Sequence, residues 1–141
     1  MKFFIASPWR NKDAVTSLAE GLRARGHHAY SFIDSGANLT TGRSVIEEVK
    51  QFYQSMGDWE NDPMVQNVFA SEMQALRDSD TVILLEPAGH SSLAEAGIAY
   101  GMGKQVVLVG VVERPEVVYR MCGNYYPDAE AFLRDFQSLA K

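Results

Sequence analysis

The sequence predicts an α/β fold, with a mostly parallel five-stranded sheet in the order 2-1-3-4-5 inside a flavodoxin- or Rossmann-like three-layer sandwich. Three observations predict it. Short apolar runs alternate with amphipathic stretches of helical period, the pattern of strands joined by helical crossovers. One run, "DTVILLE" (80–86), is apolar nearly throughout, as a strand is when both faces of a parallel sheet are covered. Polar segments containing Gly and Ser follow the strand runs, where such sheets carry ligands beyond their carboxyl ends.

In order along the chain, "KFFIA" (2–6) is a short apolar strand ended by Ser7-Pro8. "NKDAVTSLAEGLRARG" follows as a helix, with Ala14, Leu18 and Leu22 on one stripe and Gly26 as its stop. "HHAYSFI" (27–33) reads as the second strand and "DSGANLTTG" (34–42) as a loop at its carboxyl end. "RSVIEEVKQFYQSM" is helical by the spacing of Val45, Val49, Phe52 and Met56, and "GDWEND" interrupts it. Asp62-Pro63 starts the next helix, Pro being favoured in a first turn, with Val65, Phe69, Met73 and Leu76 on one face. After the strand 80–86 come a helix over 92–102, the strand "QVVLVGV" (105–111) and a weak strand or turn near 117–121. Asp128 caps a last helix through Phe132, Leu133, Phe136 and Leu139. The carboxyl-end segments 6–10, 34–42, 86–95 and 110–114 therefore converge on one side. Close approach of the 92–102 helix to the sheet is expected through Gly97 and Gly101, spaced four apart.

The 141 residues, with 46% hydrophobic and 22% charged, suit a single domain spanning 1–141. A net charge of −5 argues against a nucleic-acid polymer as partner, which needs a basic face, but leaves room for a pocket holding one nucleotide. The lone Cys122 forms no internal disulfide, and no Cys/His spacing suggests a metal site. No run has the length of a membrane span or a signal-peptide core, so no membrane partner and a cytoplasmic protein are expected.

The stretch "EPAGHSSLAEAGIAYGMGK" (86–104) carries the chemistry, and two roles are open for Glu95. Ser92-Leu93-Ala94-Glu95 fits the S-x-x-E capping box, in which both side chains satisfy helix-terminal N–H groups. Alternatively, a carboxylate in the first turn of a helix just past a central strand points into the ligand crevice. There the helix dipole keeps it ionised, as a nucleophile requires. Gly89, His90, Ser91 and Ser92 offer N–H and hydroxyl groups at the same helix start, a site for an anion or sugar hydroxyl. Phe52, Tyr53 and Trp59 fit either an aromatic wall for a base or packing. Asp80, at the strand entrance, fits a structural role, and Lys104 a helix-end cap.

"SDTVILLEPAGHSSLAEAGIAYGMGKQVVLVG" resembles the central segment of the nucleoside 2-deoxyribosyltransferase superfamily, which includes 2′-deoxynucleoside 5′-monophosphate N-glycosidases. "KFFIASPW" is similar to that family's opening strand and substrate-contacting loop, and "SEMQALRDSD" to the helix before its third strand. These patches cover roughly half the chain. The resemblance implies N-glycosidic bond cleavage, by hydrolysis or deoxyribosyl transfer, through a covalent glycosyl-enzyme on Glu95. The logic is that of retaining glycosidases, with a second carboxyl beside the nucleophile. Glu72 stands where the family usually places an Asp; a solvated glutamate on a helix face is the other reading. Ser7, Trp9 and Arg10 in the first loop, with Gly89, His90, Ser91 and Ser92, would contact substrate, the serines and Arg10 suiting a 5′-phosphate. Asn124, beside Tyr125, falls where family members lend residues to a neighbour's pocket. A homodimer or higher homo-oligomer is implied, and neither cofactor nor metal.

Three alternatives stand beside this. "PAGHSSLAE" has the P-G-G-x-G-T-x-x-E spacing of lysine-decarboxylase-like phosphoribohydrolases, with Ala88, Ser91 and Ser92 replacing Gly, Gly and Thr. A TIR-like NAD glycohydrolase would use the same glutamate. A non-catalytic nucleotide-binding module would keep the fold without the activity.

Overall fold

A computed structural model describes residues 1–35 and 45–137. Its elements are β1 (Lys2–Ala6), α1 (Lys12–Arg23), β2 (His28–Tyr30), α2 (Phe32–Ser35), α3 (Val45–Gln54), α4 (Pro63–Asp78), β3 (Thr81–Leu85), α5 (His90–Gly101), β4 (Gln105–Val109), β5 (Asn124–Tyr126) and α6 (Ala129–Asp135). The sheet order is β2-β1-β3-β4-β5, and every pairing is parallel. The order reverses between β1 and β3, so the crevice for a ligand lies between the segments leaving those two strands.

Strand period divides the core. Phe3, Ile5, Ile83, Leu85, Val107 and Val109 face one side, with Val15, Leu18 and Leu22 of α1, Val49 of α3 and Phe132 beyond β5. Phe4, Ala6, Val82, Leu84, Val106 and Leu108 face the other, against Leu76 of α4 and Ala96 and Ala99 of α5. Each large side chain so enclosed contributes about 1.5–3 kcal/mol relative to exposure. The uniform apolarity of β3 follows, since all five of its residues are buried.

Several elements differ from the sequence expectation. The buried stripe of α1 is Val15, Leu18, Ala19 and Leu22, while Ala14 is exposed, because the i, i+3, i+4, i+7 set presents more apolar surface. The second strand stops at Tyr30: Asp34 accepts the Ser31 N–H at 2.7 Å and turns the chain into α2. In α4, Val68 and Leu76 are buried and Phe69 is 60% exposed. The inward stripe therefore runs 68, 72, 76, and that rotation carries Glu72 off the solvent side. α5 starts at His90, two residues early. Gly97 and Gly101 do not bring it to the sheet, since a Cβ on either would meet nothing within 4 Å. Ala96 and Ala99, both 0% exposed, make the approach. Segment 117–121 is a 3₁₀ turn with Val117 90% exposed, and the fifth strand is 124–126. β4 ends at Val109 because Gly110 adopts φ +112° beside Glu86, where a Cβ would lie 2.7 Å from the Glu86 Cβ. Gly26 and Asp128 act as expected, the first at φ +82° and the second accepting the Ala131 N–H at 2.7 Å. The expected loop 34–42, beyond Ser35, and Leu139 lie outside the described residues.

Among the described residues no helix is long and apolar enough to cross a membrane, and no group of three His, Cys, Asp or Glu residues is placed to hold a metal.

Candidate active site

The segments leaving β1 and β3 enclose a cavity of about 390 Å³ between them, α3 and α4. Its wall contains Ser7, Trp9, Arg10, Glu72, Gly89, His90, Ser91, Ser92 and Glu95, which is every expected site residue except Asn124. Pro8, Phe32, Tyr53 and Met56 complete it. Three larger hollows among the described residues, about 540, 520 and 440 Å³, each present a single carboxylate residue and lie elsewhere.

Hydrogen bonds from one loop to the other set the shape. Ser7 Oγ donates to the Leu85 carbonyl at 3.0 Å and accepts Asn11 Nδ2 at 2.8 Å. Asn11 Nδ2 also reaches the Pro87 carbonyl at 2.9 Å, and Arg10 Nη2 the Ala88 carbonyl at 3.0 Å. The Glu86–Pro87 peptide inside this turn is cis. Asn11 carried no sequence signal, because its partners lie 76 residues away or in its own loop.

The start of α5 resolves one of the two roles open for Glu95. Gly89 is the N-cap residue, and Ser92 Oγ accepts the Gly89 N–H at 2.7 Å while donating to the Gly89 carbonyl at 2.9 Å. Ser92 is thus the third helical residue closing the cap, and Glu95 takes no part in it. The S-x-x-E reading is corrected: the N-cap is Gly89 and not Ser92, so the helix starts three residues earlier than that motif requires. Among the described residues the N–H groups of His90, Ser91 and Ser92 reach no carbonyl, leaving first-turn donors beside the cavity.

Glu95 sits in the second turn and not the first. The helix dipole fades within one turn, so it does not hold this carboxyl ionised as expected. Burial, with Glu72 as a second cause, instead raises its pKa from the usual carboxylate range to about 8. Two carboxyl groups sharing a largely enclosed space resist ionising together. At neutral pH a carboxyl raised this far keeps its proton, and the charge of the neighbouring Glu72 strengthens that hold.

An aromatic wall stands opposite. Tyr53 lies near-parallel to Trp9, with centroids 6.3 Å apart, and edge-on to Phe32 at 6.1 Å. Tyr53 also donates its hydroxyl to Glu72 Oε1 at 3.1 Å. Phe52 packs towards the core, and Trp59 is 59% exposed, away from the cavity. Asn124, at the amino end of β5, accepts Gln105 Nε2 at 3.3 Å and does not reach this cavity within the chain. Asp80, also at the amino end of the sheet, accepts the Lys2 N–H at 2.7 Å.

No protein-family model matches the chain, and no curated protein does. Its fold is shared by the solved structure of a 2-deoxyribosyltransferase from the psychrotolerant bacterium Bacillus psychrosaccharolyticus. That match has a TM-score of 0.67 at 19% identity and covers 99% of this chain and 96% of that one. A second is Clostridium botulinum CMP N-glycosidase, BcmB, with a TM-score of 0.59 at 14% identity, covering 98% of this chain and 99% of that one.

Proposed function

We propose that this chain is an N-glycosidase or deoxyribosyltransferase acting on a nucleoside or nucleoside 5′-monophosphate through a glycosyl ester on Glu95. The observation that carries the proposal is the Glu72–Glu95 pair, coupled in one cavity at the switch point of the sheet. Retaining glycosyl chemistry needs one carboxylate as nucleophile and a nearby carboxyl that gives and then takes a proton. The pair meets both needs in the state with Glu72 protonated and Glu95 ionised, which the resting pair reaches by passing the Glu95 proton to Glu72. Ionised Glu95 bonds to the anomeric carbon as the carbon–nitrogen bond breaks, and the base leaves with the proton from Glu72. Water or a second base then attacks the same carbon, giving its proton to Glu72 and freeing Glu95.

The fold shared with a 2-deoxyribosyltransferase and a CMP N-glycosidase supports this reading. Trp9, Phe32 and Tyr53 offer the faces a nucleobase stacks on. The first-turn N–H groups of α5, with Ser91, His90 and Arg10, suit a 5′-phosphate. Ser7 and Ser92 support it less directly, because their hydroxyls already bridge the loops. Asn124 would enter a site only by pairing of two copies, and that role belongs to the homo-oligomer the sequence resemblance implies.

The test is a panel of nucleosides, 5′-monophosphates and NAD, with and without acceptor base, followed by chromatography of released base. Free base from a nucleoside or monophosphate, lost in Glu95→Ala, supports the proposal. Binding of a monophosphate with no base release from any substrate would instead make the chain a nucleotide-binding module. Release of nicotinamide alone would make it an NAD glycohydrolase.

A further inference from the structure

We infer that Tyr53 is a positioning residue for this chemistry: its hydroxyl fixes the Glu72 carboxyl beside Glu95 and favours the charged form Glu72 adopts when the leaving base takes its proton. The inference rests on the proposed function for its chemical meaning, but its structural basis is separate. The phenol donates to Glu72 Oε1 at 3.1 Å across two helices, α3 and α4. Its ring is held on several sides: near-parallel to Trp9, edge-on to Phe32, and edge-on to Phe52 at 5.2 Å. A ring so clamped cannot carry its hydroxyl elsewhere without breaking aromatic contacts. Burial, then the neighbouring Glu72, raises the phenol far above its ordinary titration range, so it stays a donor throughout the working pH range. A donor fixed on one carboxylate oxygen favours the ionised form.

The other titratable groups around the pair are Glu95 from α5, Tyr30 from β2, and Arg10 and His90 on the cavity wall. Arg10 is tied through Nη2 to the Ala88 carbonyl, on the opposite loop.

Tyr53→Phe keeps the ring and removes only the hydroxyl. Carboxyl carbon NMR titration of the intact protein should then show Glu72 titrating about one pH unit higher than in the wild type. An unchanged Glu72 titration overturns the inference. In turnover, kcat should fall about tenfold with KM nearly unchanged, and the alkaline limb of the rate profile, set by the acid Glu72, should move up by a similar unit. In a Glu72→Gln background the same substitution should cost nothing further; a full penalty there would mean that Tyr53 acts by packing alone. Should the wild type release no base while Glu72 still shifts in Tyr53→Phe, the proposed function fails and the hydrogen-bond role of Tyr53 stands.

Discussion

The Ser92 hydroxyl accepts the Gly89 N–H at 2.7 Å and donates back to the Gly89 carbonyl at 2.9 Å, closing the first turn of α5 on itself. This one clasp separates two jobs that lie three residues apart. The cap is complete without a carboxylate, so Glu95 is free to face the cavity, where burial and its neighbour Glu72 raise its pKa.

Ser92→Ala should therefore lower stability and activity together. Ser92 is 2% exposed, so no water replaces the lost partner, and a buried cap of this kind contributes about 1–2 kcal/mol. Thermal melting should register that loss. Base release should fall as well, because the 86–92 turn is the cavity wall. A variant that melts early but turns over at the wild-type rate would show that the clasp does not shape the site.

Glu95→Gln should stabilise the fold in a pH-dependent way. The Glu95 carboxyl is favoured neutral in the folded chain, with a pKa of about 8 against an ordinary value of 4.5. The folded state therefore binds the proton more tightly than the unfolded one. That contribution is complete below about pH 4.5 and fades as pH rises through about 8. The amide never ionises, so variant and wild type should melt together near pH 5. By pH 9 they should separate in the variant's favour by roughly 5 kcal/mol at most. Parallel melting curves at every pH would mean the carboxyl is not buried as described.

How far the chain could be read in advance depends on the range of each interaction. β3 was legible because burial on both faces leaves a mark in five consecutive letters, "TVILL". The cavity residues of the first loop and of 89–95 were legible because strand ends in a parallel sheet converge by topology. Helix rotation was not. Val65, Phe69, Met73 and Leu76 form as good a stripe on paper as Val68, Glu72 and Leu76, and only tertiary packing, which buries Val68 and leaves Phe69 60% exposed, selects the second. Gly97 and Gly101 misled for the same reason, since the alanines one face over make the contact. Tyr53 and Asn11 act on residues far along the chain, and no local pattern announces such a pair.

The rate profile of base release should fall on the alkaline side near pH 8, where the pair loses its proton. Above that point Glu95 is ionised but Glu72 has nothing to give the departing base. A substrate whose leaving group departs without protonation should lack this limb. If both substrate types decline alike above pH 8, the loss comes from unfolding or binding, and Glu72 is not the acid.

Asn11 gives the sharpest test of the loop architecture, because a truncated and an isosteric variant should behave differently. Its Nδ2 donates to both Ser7 Oγ and the Pro87 carbonyl, holding the loop after β1 against the turn after β3. Asn11→Ala removes both bonds and leaves an exposed carbonyl and a part-buried hydroxyl short of a donor, which costs about 1 kcal/mol. Asn11→Asp keeps the shape but replaces the donor with an acceptor-only carboxylate, facing the Pro87 carbonyl from the same distance. Repulsion is then added to the lost bonds, so Asp should be the more damaging of the two in melting temperature. Both should raise KM more than they lower kcat, since Arg10 and Trp9 ride on the same loop while the carboxyl pair sits on α4 and α5. An Asp variant as stable and active as the wild type would falsify the bridging role of this side chain.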